Sequence, residues 1–322
     1  MNRPLIIINN SAAKTRRVWP TLKSQLDREK IDVETYVTEA PGDATLKVRS
    51  ALQSGAETIG VVGGDGTLSE VTQGYFEFSR DPEKLPQPIN AHATLAVLPA
   101  GTGDDFARGL AGKRESLNVW IRNFLASINS ANHSSVKLID VLYGRCDDLQ
   151  TPFICLNAST MGIGGETASR VAAQGNFMRS FSGEFRFLFA ALGALAAWRE
   201  RRVRVSVDGK QIADGPMNLV AVANALYAGG GMMLTPDARI DDGKLDVVTA
   251  SGLSRANVVA ELSRVHKGGH INNPKVSVTQ GEIVLIETLM AQDAMLIEAD
   301  GNVRGVTPVR FEVMPGALRF MT

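Results

Sequence analysis

Residues 58–71 read TIGVVGGDGTLSEV. A β-branched run, Thr58–Val62, leads into Gly63-Gly64-Asp65-Gly66-Thr67, and a helical pattern opens at Thr67. Glycines lack a Cβ, so the chain can turn through positive φ and come close to a ligand, and successive N–H groups cradle phosphate oxygens at a helix N-terminus. A Walker loop would carry Gly-Lys-Ser/Thr and a dinucleotide fingerprint would read G-x-G-x-x-G; neither pattern fits. Asp65 is the distinctive residue, because a carboxylate beside polyphosphate is repelled unless it holds a metal such as magnesium or takes a proton from a reacting hydroxyl. Thr67 and Glu70 also admit a plainer reading, a capping box at the helix start.

Thirty residues on, Leu98-Pro99-Ala100-Gly101-Thr102-Gly103-Asp104-Asp105-Phe106-Ala107-Arg108 repeats the plan of strand, glycine turn and helix start. Thr102 and its neighbouring N–H groups suit a second phosphate, with Asp104 or Asp105 capping the helix. A third candidate turn, Asn9-Asn10-Ser11, follows the apolar run Leu5–Ile8. Around these turns, short β-branched runs alternate with helical patterns at Val18–Lys30, Asp43–Ser54 and Thr67–Glu77. That alternation predicts an α/β domain with a parallel sheet flanked by helices, whose ligands bind at the carboxyl ends of the strands.

From about Lys137 the texture changes to many short strand-like runs with turn signals such as Asp208-Gly209 and Asp242-Gly243, which predicts a mainly antiparallel β-sandwich. The expected division is 1–134 and 135–307, with 308–322 packing back onto the first domain. Phe177 to Trp198 is the most hydrophobic helical stretch, with Phe181, Phe185, Leu188, Leu192, Leu195 and Trp198 on one face. Glu184 and Arg186 interrupt it. Its uninterrupted apolar part runs about a dozen residues against the roughly 20 needed to span a bilayer, so the stretch is expected as a core or interdomain helix, or one bordering an acyl-chain cleft. The cluster Arg199, Arg201, Arg202 and Arg204 behind it suits lipid headgroups or a solvated face. Lys plus Arg equals Asp plus Glu at 34 each, so no global field draws the chain to nucleic acid. Two cysteines, Cys146 and Cys155, make no disulfide framework and are expected as buried hydrophobes.

The two glycine-rich runs, in this order, resemble the diacylglycerol kinase catalytic family, which includes bacterial lipid kinases, sphingosine kinases and ceramide kinases. Further matches are Asn157-Ala158-Ser159 with Gly162, Gly164 and Gly165, then Gly229-Gly230-Gly231 through Asp241-Asp242-Gly243-Lys244-Leu245-Asp246, and Asp300-Gly301. Gly-Gly-Asp-Gly-Thr alone also occurs in NAD kinases, so the ordered set carries the resemblance.

The resemblance implies a nucleotide domain, a sandwich domain and an interdomain cleft where ATP meets a lipid hydroxyl. The nucleotide-binding candidates are Asn9, Thr38, Gly63, Gly64, Asp65, Gly66, Thr67, Glu70, Gly101 and Thr102. Magnesium is expected at the Asp242 carboxylate with the carbonyls of Arg239 and Lys244. Where the family usually has Asp-Gly-Glu, this chain has Asp300-Gly301-Asn302, and an amide accepts no proton. Asp300, Asp65 or Glu298 is then left to orient the acceptor hydroxyl, with Asp300 and Asp65 as the catalytic candidates. The expectation is a cytoplasmic lipid kinase acting at the membrane surface, with peripheral contact at the inner face and a homodimer admitted. The alternatives are a kinase of a soluble acceptor (NAD or a sugar) and a catalytically impaired nucleotide-binding regulator.

Overall fold

The structure, a computed structural model, describes residues 3–10, 14–79, 81, 84–129, 136–146, 152–175, 181 and 183–322. Ser11, Phe177 and the expected boundary at 134/135 lie outside them. The chain divides into two compact units, Met1–Val141 with Pro315–Thr322, and Leu142–Met314.

The first unit runs β1 (Leu5–Ile8), α1 (Thr15–Arg28), β2 (Glu34–Val37), α2 (Asp43–Gln53), β3 (Thr58–Gly63), α3 (Asp65–Tyr75), a two-strand pair β4 (Phe76–Glu77) and β5 (Gln87–Pro88), β6 (Thr94–Pro99), α4 (Asp105–Ala111) and α5 (Leu117–Asn129). Its sheet is parallel in the order β6-β3-β1-β2. All four residues of β1 are buried, as a strand covered on both faces requires, and this is why its sequence is a continuous apolar run. In α1, Val18, Leu22 and Leu26 recur every four residues and are buried. They join Ile121, Phe124 and Leu125 of α5 against Ile6, Ile8, Val62 and Leu98 of the sheet. Gly60 in β3 lets the helix settle, since a Cβ there would meet the Phe124 ring at 3.3 Å.

The second unit holds the end of β7 (Val136–Cys146), then β8 (Phe153–Cys155), β9 (Ala158–Gly162), α6 (Ile163–Ala172), α7 (Gly183–Ala197), β10 (Arg201–Val207), β11 (Lys210–Met217), β12 (Leu219–Ala223), β13 (Tyr227–Ala228), β14 (Met232–Met233), β15 (Leu245–Ala250), α8 (Arg255–Arg264), β16 (Val276–Gly281), β17 (Ile283–Thr288), β18 (Leu296–Ala299) and β19 (Asn302–Val306). The last strand, β20 (Val309–Met321), pairs with β17 in this unit and, through Arg319 and Phe320, with β6 in the first. An antiparallel sheet, β16-β15-β12-β9-β18-β19, faces the strands β11-β10-β17-β20. Val203, Val205 and Val207 of β10 alternate with exposed or half-buried residues and enter one core with Val220 and Val222 of β12 and Phe311 of β20. Cys146 and Cys155 are buried and are not joined in a disulfide. No helix among the described residues is long and apolar enough to cross a membrane.

The helix expected from Phe177 to Trp198 is described as α7 over Gly183–Ala197. Of the face read there, Leu195 is buried, together with Ala190, Ala191 and Ala194, while Phe181, Phe185, Leu188 and Leu192 are exposed and do not enter a core as the first of the expected roles required. Both sides of the helix are apolar, so periodicity alone could not choose the side that faces inward.

Candidate functional site

The carboxyl ends of β1, β2, β3 and β6 place Asn9, Thr38, Gly63–Thr67 and Gly101–Thr102 along one edge of the first unit's sheet. Register carries Gly63 opposite Pro99, so the two glycine turns leave the sheet side by side, and Ala100 N–H donates to Gly63 O at 2.8 Å. The backbones touch. A Cβ on Gly64 would stand 2.8 Å from Gly101 Cα, and one on Gly101 would stand 2.6 Å from Gly64 Cα. Close approach therefore demands glycine at both positions.

Helix α3 begins at Asp65, two residues before the expected start, with extended Gly64 as N-cap. The first intrahelical bond is Leu68 N–H to Gly64 O at 3.0 Å. The N–H groups of Asp65, Gly66 and Thr67 thus precede the helical ladder and sit at its positive end, an arrangement that receives an anion. The early start also removes the capping box, and no side chain caps α3. Thr67 Oγ1 accepts from Asn9 Nδ2 at 2.9 Å, Glu70 Oε2 accepts from Gly42 N–H at 3.1 Å, and Thr38 N–H donates to Ile8 O at 2.9 Å. These bonds tie the β1, β2 and β3 turns together.

Asp65 and Asp104 exchange the parts that local sequence suggests. Asp65 accepts from Asp105 N–H at 3.0 Å and from Phe106 N–H at 3.1 Å, so it caps α4 from the other turn. The carboxylate expected to hold magnesium or a hydroxyl is first a helix cap. Asp104, expected as that cap, has left-handed φ 53° and no capping bond. Its Oδ1 accepts from Gly101 N–H at 2.7 Å, and its Oδ2 from Lys14 Nζ at 2.8 Å with Arg114 Nη2 at 3.6 Å. Gly101 N–H, a candidate phosphate donor, is therefore occupied. Lys14 also donates to Gly101 O at 2.8 Å and Arg114 to Thr102 O at 3.0 Å. Neither cation was legible as a site residue, because Lys14 is 87 positions from Gly101 and nothing local links them. Burial, and next the Asp105 charge, push Asp65 up to about 7 against the two amide bonds that pull it down.

In the second unit, Asp300 and Gly301 form the two-residue turn between β18 and β19, at φ 46° and 83°, the positive values of a primed hairpin turn. Asp300 is buried, and its oxygens accept from Leu156 N–H at 2.8 Å and Asn157 N–H at 2.9 Å. Burial nonetheless raises its pKa, the two amides opposing. The residue expected as base therefore clamps the β8–β9 turn. Glu298, on the same hairpin and only half-buried, accepts from Thr160 Oγ1 at 2.6 Å and from Gly301 N–H at 2.5 Å. Desolvation pushes its carboxyl up to about 7. Asn302 is exposed and donates to Asp300 O at 3.3 Å.

Around Asp242 the donors are hard oxygens. Asp242 Oδ1 accepts from Lys244 N–H at 3.1 Å, and Asp241 lies 3.6 Å from Arg239. Among the described residues no group of three His, Cys, Asp or Glu side chains converges on a metal position. Asp246 is pushed up to about 6, by burial first and then by Asp242 and Asp237. The side chains gathered there are carboxylates, the donor type that a hard cation takes.

Residues 3–142 match a family model described as the diacylglycerol kinase catalytic domain, and residues 161–322 match one described as the YegS C-terminal NAD kinase beta sandwich-like domain. The chain is 26% identical over 311 residues to a diacylglycerol kinase of Staphylococcus carnosus, covering 96% of this chain and 91% of that one. It is 27% identical over 290 residues to a YegS-like lipid kinase of Stenotrophomonas maltophilia, covering 90% and 86%. A solved Bacillus anthracis structure shares the fold at TM-score 0.72 with 22% identity, covering 99% of this chain and 97% of that one. A diacylglycerol kinase structure from the same organism does so at 0.66 with 21% identity, covering 99% and 96%.

Proposed function

The chain belongs to the diacylglycerol kinase catalytic family and is a lipid kinase at that level; from that premise we propose that it transfers the γ-phosphate of ATP, with magnesium, to a hydroxyl of diacylglycerol or a related lipid at a membrane surface. The observation that carries this reading is the pair of abutting glycine turns beside the open N-terminus of α3. The amides of Asp65, Gly66 and Thr67 hold phosphate oxygens there, while Lys14 and Arg114 offset the charge of Asp104. Asn9, Thr38, Glu70 and Thr102 border the same turns. Asp242 with the carbonyls of Arg239 and Lys244 would hold magnesium, which supplies charge neutralisation when bound.

Glu298 is the base in this reading. Asp65 and Asp300 each hold two backbone amides, whereas Glu298 holds one amide, that of Gly301, and a side-chain hydroxyl, that of Thr160. Glu298 keeps partial exposure and a pKa near 7, the range suited to accepting a hydroxyl proton at neutral pH. Phosphoryl transfer leans on positioning and charge neutralisation, so a base acting late suffices.

The test is labelled ATP with magnesium and a panel of lipids, NAD and sugars, followed by chromatography. Label in a lipid product is expected, with the rate of Glu298→Gln lower by roughly 100-fold or more. Label in a water-soluble product alone makes this a soluble-acceptor kinase. ATP binding with no transfer, and activity created by Asn302→Glu, makes it a regulator.

A further inference from the structure

We propose that α7 docks this protein on an anionic lipid surface by laying its outward apolar stripe into the boundary between headgroups and acyl chains. The inference rests on the lipid-kinase reading and adds the surface through which such an enzyme reaches an insoluble substrate. Helix α7 reads GEFRFLFAALGALAA. One side is buried through Ala190, Ala191, Ala194 and Leu195. On the other side Phe185 is 47% exposed, Leu188 50%, Phe189 59% and Leu192 45%. Positions i, i+3, i+4 and i+7 form one continuous stripe. Phe181, also exposed, extends it, its ring 5.2 Å from that of Phe185.

A helix on a soluble surface turns polar residues to water. Here the outward side carries phenylalanine and leucine, and a contiguous apolar patch of this kind marks a partner or a membrane. Charge selects the membrane, and length fixes the pose. With 15 residues the helix, at ~1.5 Å per residue, falls short of a hydrocarbon core of about 30 Å, so on a bilayer it lies in the interface plane, where such helices bury one side. Just past its end, Arg199 and Arg202 are exposed and form no ion pair with a described residue. They suit anionic headgroups, in a chain whose formal net charge is +0 and which has no global attraction to them.

The experiment is vesicle sedimentation of the full chain, using phosphatidylcholine with and without phosphatidylglycerol, alongside phosphorylation of a short-chain, water-soluble diacylglycerol. Wild type is expected to sediment with the phosphatidylglycerol vesicles. The variant Leu188→Ser/Phe189→Ser/Leu192→Ser is expected to partition at least ~10-fold more weakly, and Arg199→Glu/Arg202→Glu to lose the preference for phosphatidylglycerol. Both should phosphorylate the short-chain acceptor as wild type does. Phe189→Ser alone, at the most exposed position, gives a weaker shift in the same direction if the triple variant misfolds. The proposal is overturned if wild type ignores vesicles, if the variants bind like wild type, or if wild type is a dimer that the triple variant dissociates with vesicle binding unchanged. Failure of wild type on the short-chain acceptor alone would sink the lipid-kinase reading instead.

Discussion

Replacing Asp65 with Asn removes the charge of a half-buried cap while keeping one acceptor oxygen for the amides of Asp105 and Phe106. In the folded protein the Asp65 carboxyl holds its proton to about pH 7, against an ordinary value of 3.8. Between those values the folded state binds more protons than the unfolded chain, so the stability this group contributes is present below pH 3.8 and is lost as pH rises towards 7. A difference of about 3 pKa units corresponds to about 4 kcal/mol. The Asn variant carries no such proton. It loses one acceptor for the two amides, which costs about 1 kcal/mol. The variant should be less stable than wild type by about 1 kcal/mol at pH 3 and more stable by about 3 kcal/mol at pH 8, with the curves crossing between. Urea unfolding of both proteins across that range measures the gap, and carboxyls remote from Asp65, such as Glu298, cancel because both proteins contain them. A gap that stays constant with pH, or widens against the variant as pH rises, refutes the reasoning.

Gly101→Ala should destabilise the first unit by about 1–3 kcal/mol in thermal unfolding, because its Cβ would meet Gly64 Cα at 2.6 Å and Asp104 Oδ1 at 2.8 Å. Gly66→Ala is the matching control: a Cβ there meets nothing within 4 Å, so stability should change little while calorimetric binding of Mg-ATP weakens, since the methyl borders the open amides of α3. Asp104→Asn keeps the acceptor for Gly101 N–H and removes a negative charge beside the turn, so affinity for Mg-ATP should rise several-fold, most clearly at low salt.

How much of this was legible before folding depends on distance along the chain. The alternation of apolar runs with four-residue helical spacing marked β1, α1, α2 and β3, because a strand covered on both faces must be apolar throughout and a covered helix must repeat its apolar residues. The glycine turns were legible for a similar reason, since only glycine permits the close approach of the backbones at Gly64 and Gly101. The start of α3 was misplaced by two residues, because a Thr and a Glu at capping-box spacing compete with glycine as a start signal.

What each carboxylate does was decided by tertiary structure. Asp65 caps a helix 40 residues away, Asp104 meets Lys14 at a separation of 90, and Asp300 clamps amides 144 and 143 residues before it. A local pattern records which groups exist and which conformations their neighbours allow. It cannot record which donors will surround a carboxylate once the strands are aligned. The same limit applied to α7: with apolar residues on both sides, only packing could determine which side was covered and which was left facing outward. Sequence by itself determined the layered elements and the two turns, because backbone sterics and burial act over a few residues; hydrogen-bond partners and exposed faces were settled by contacts that exist only in the assembled fold.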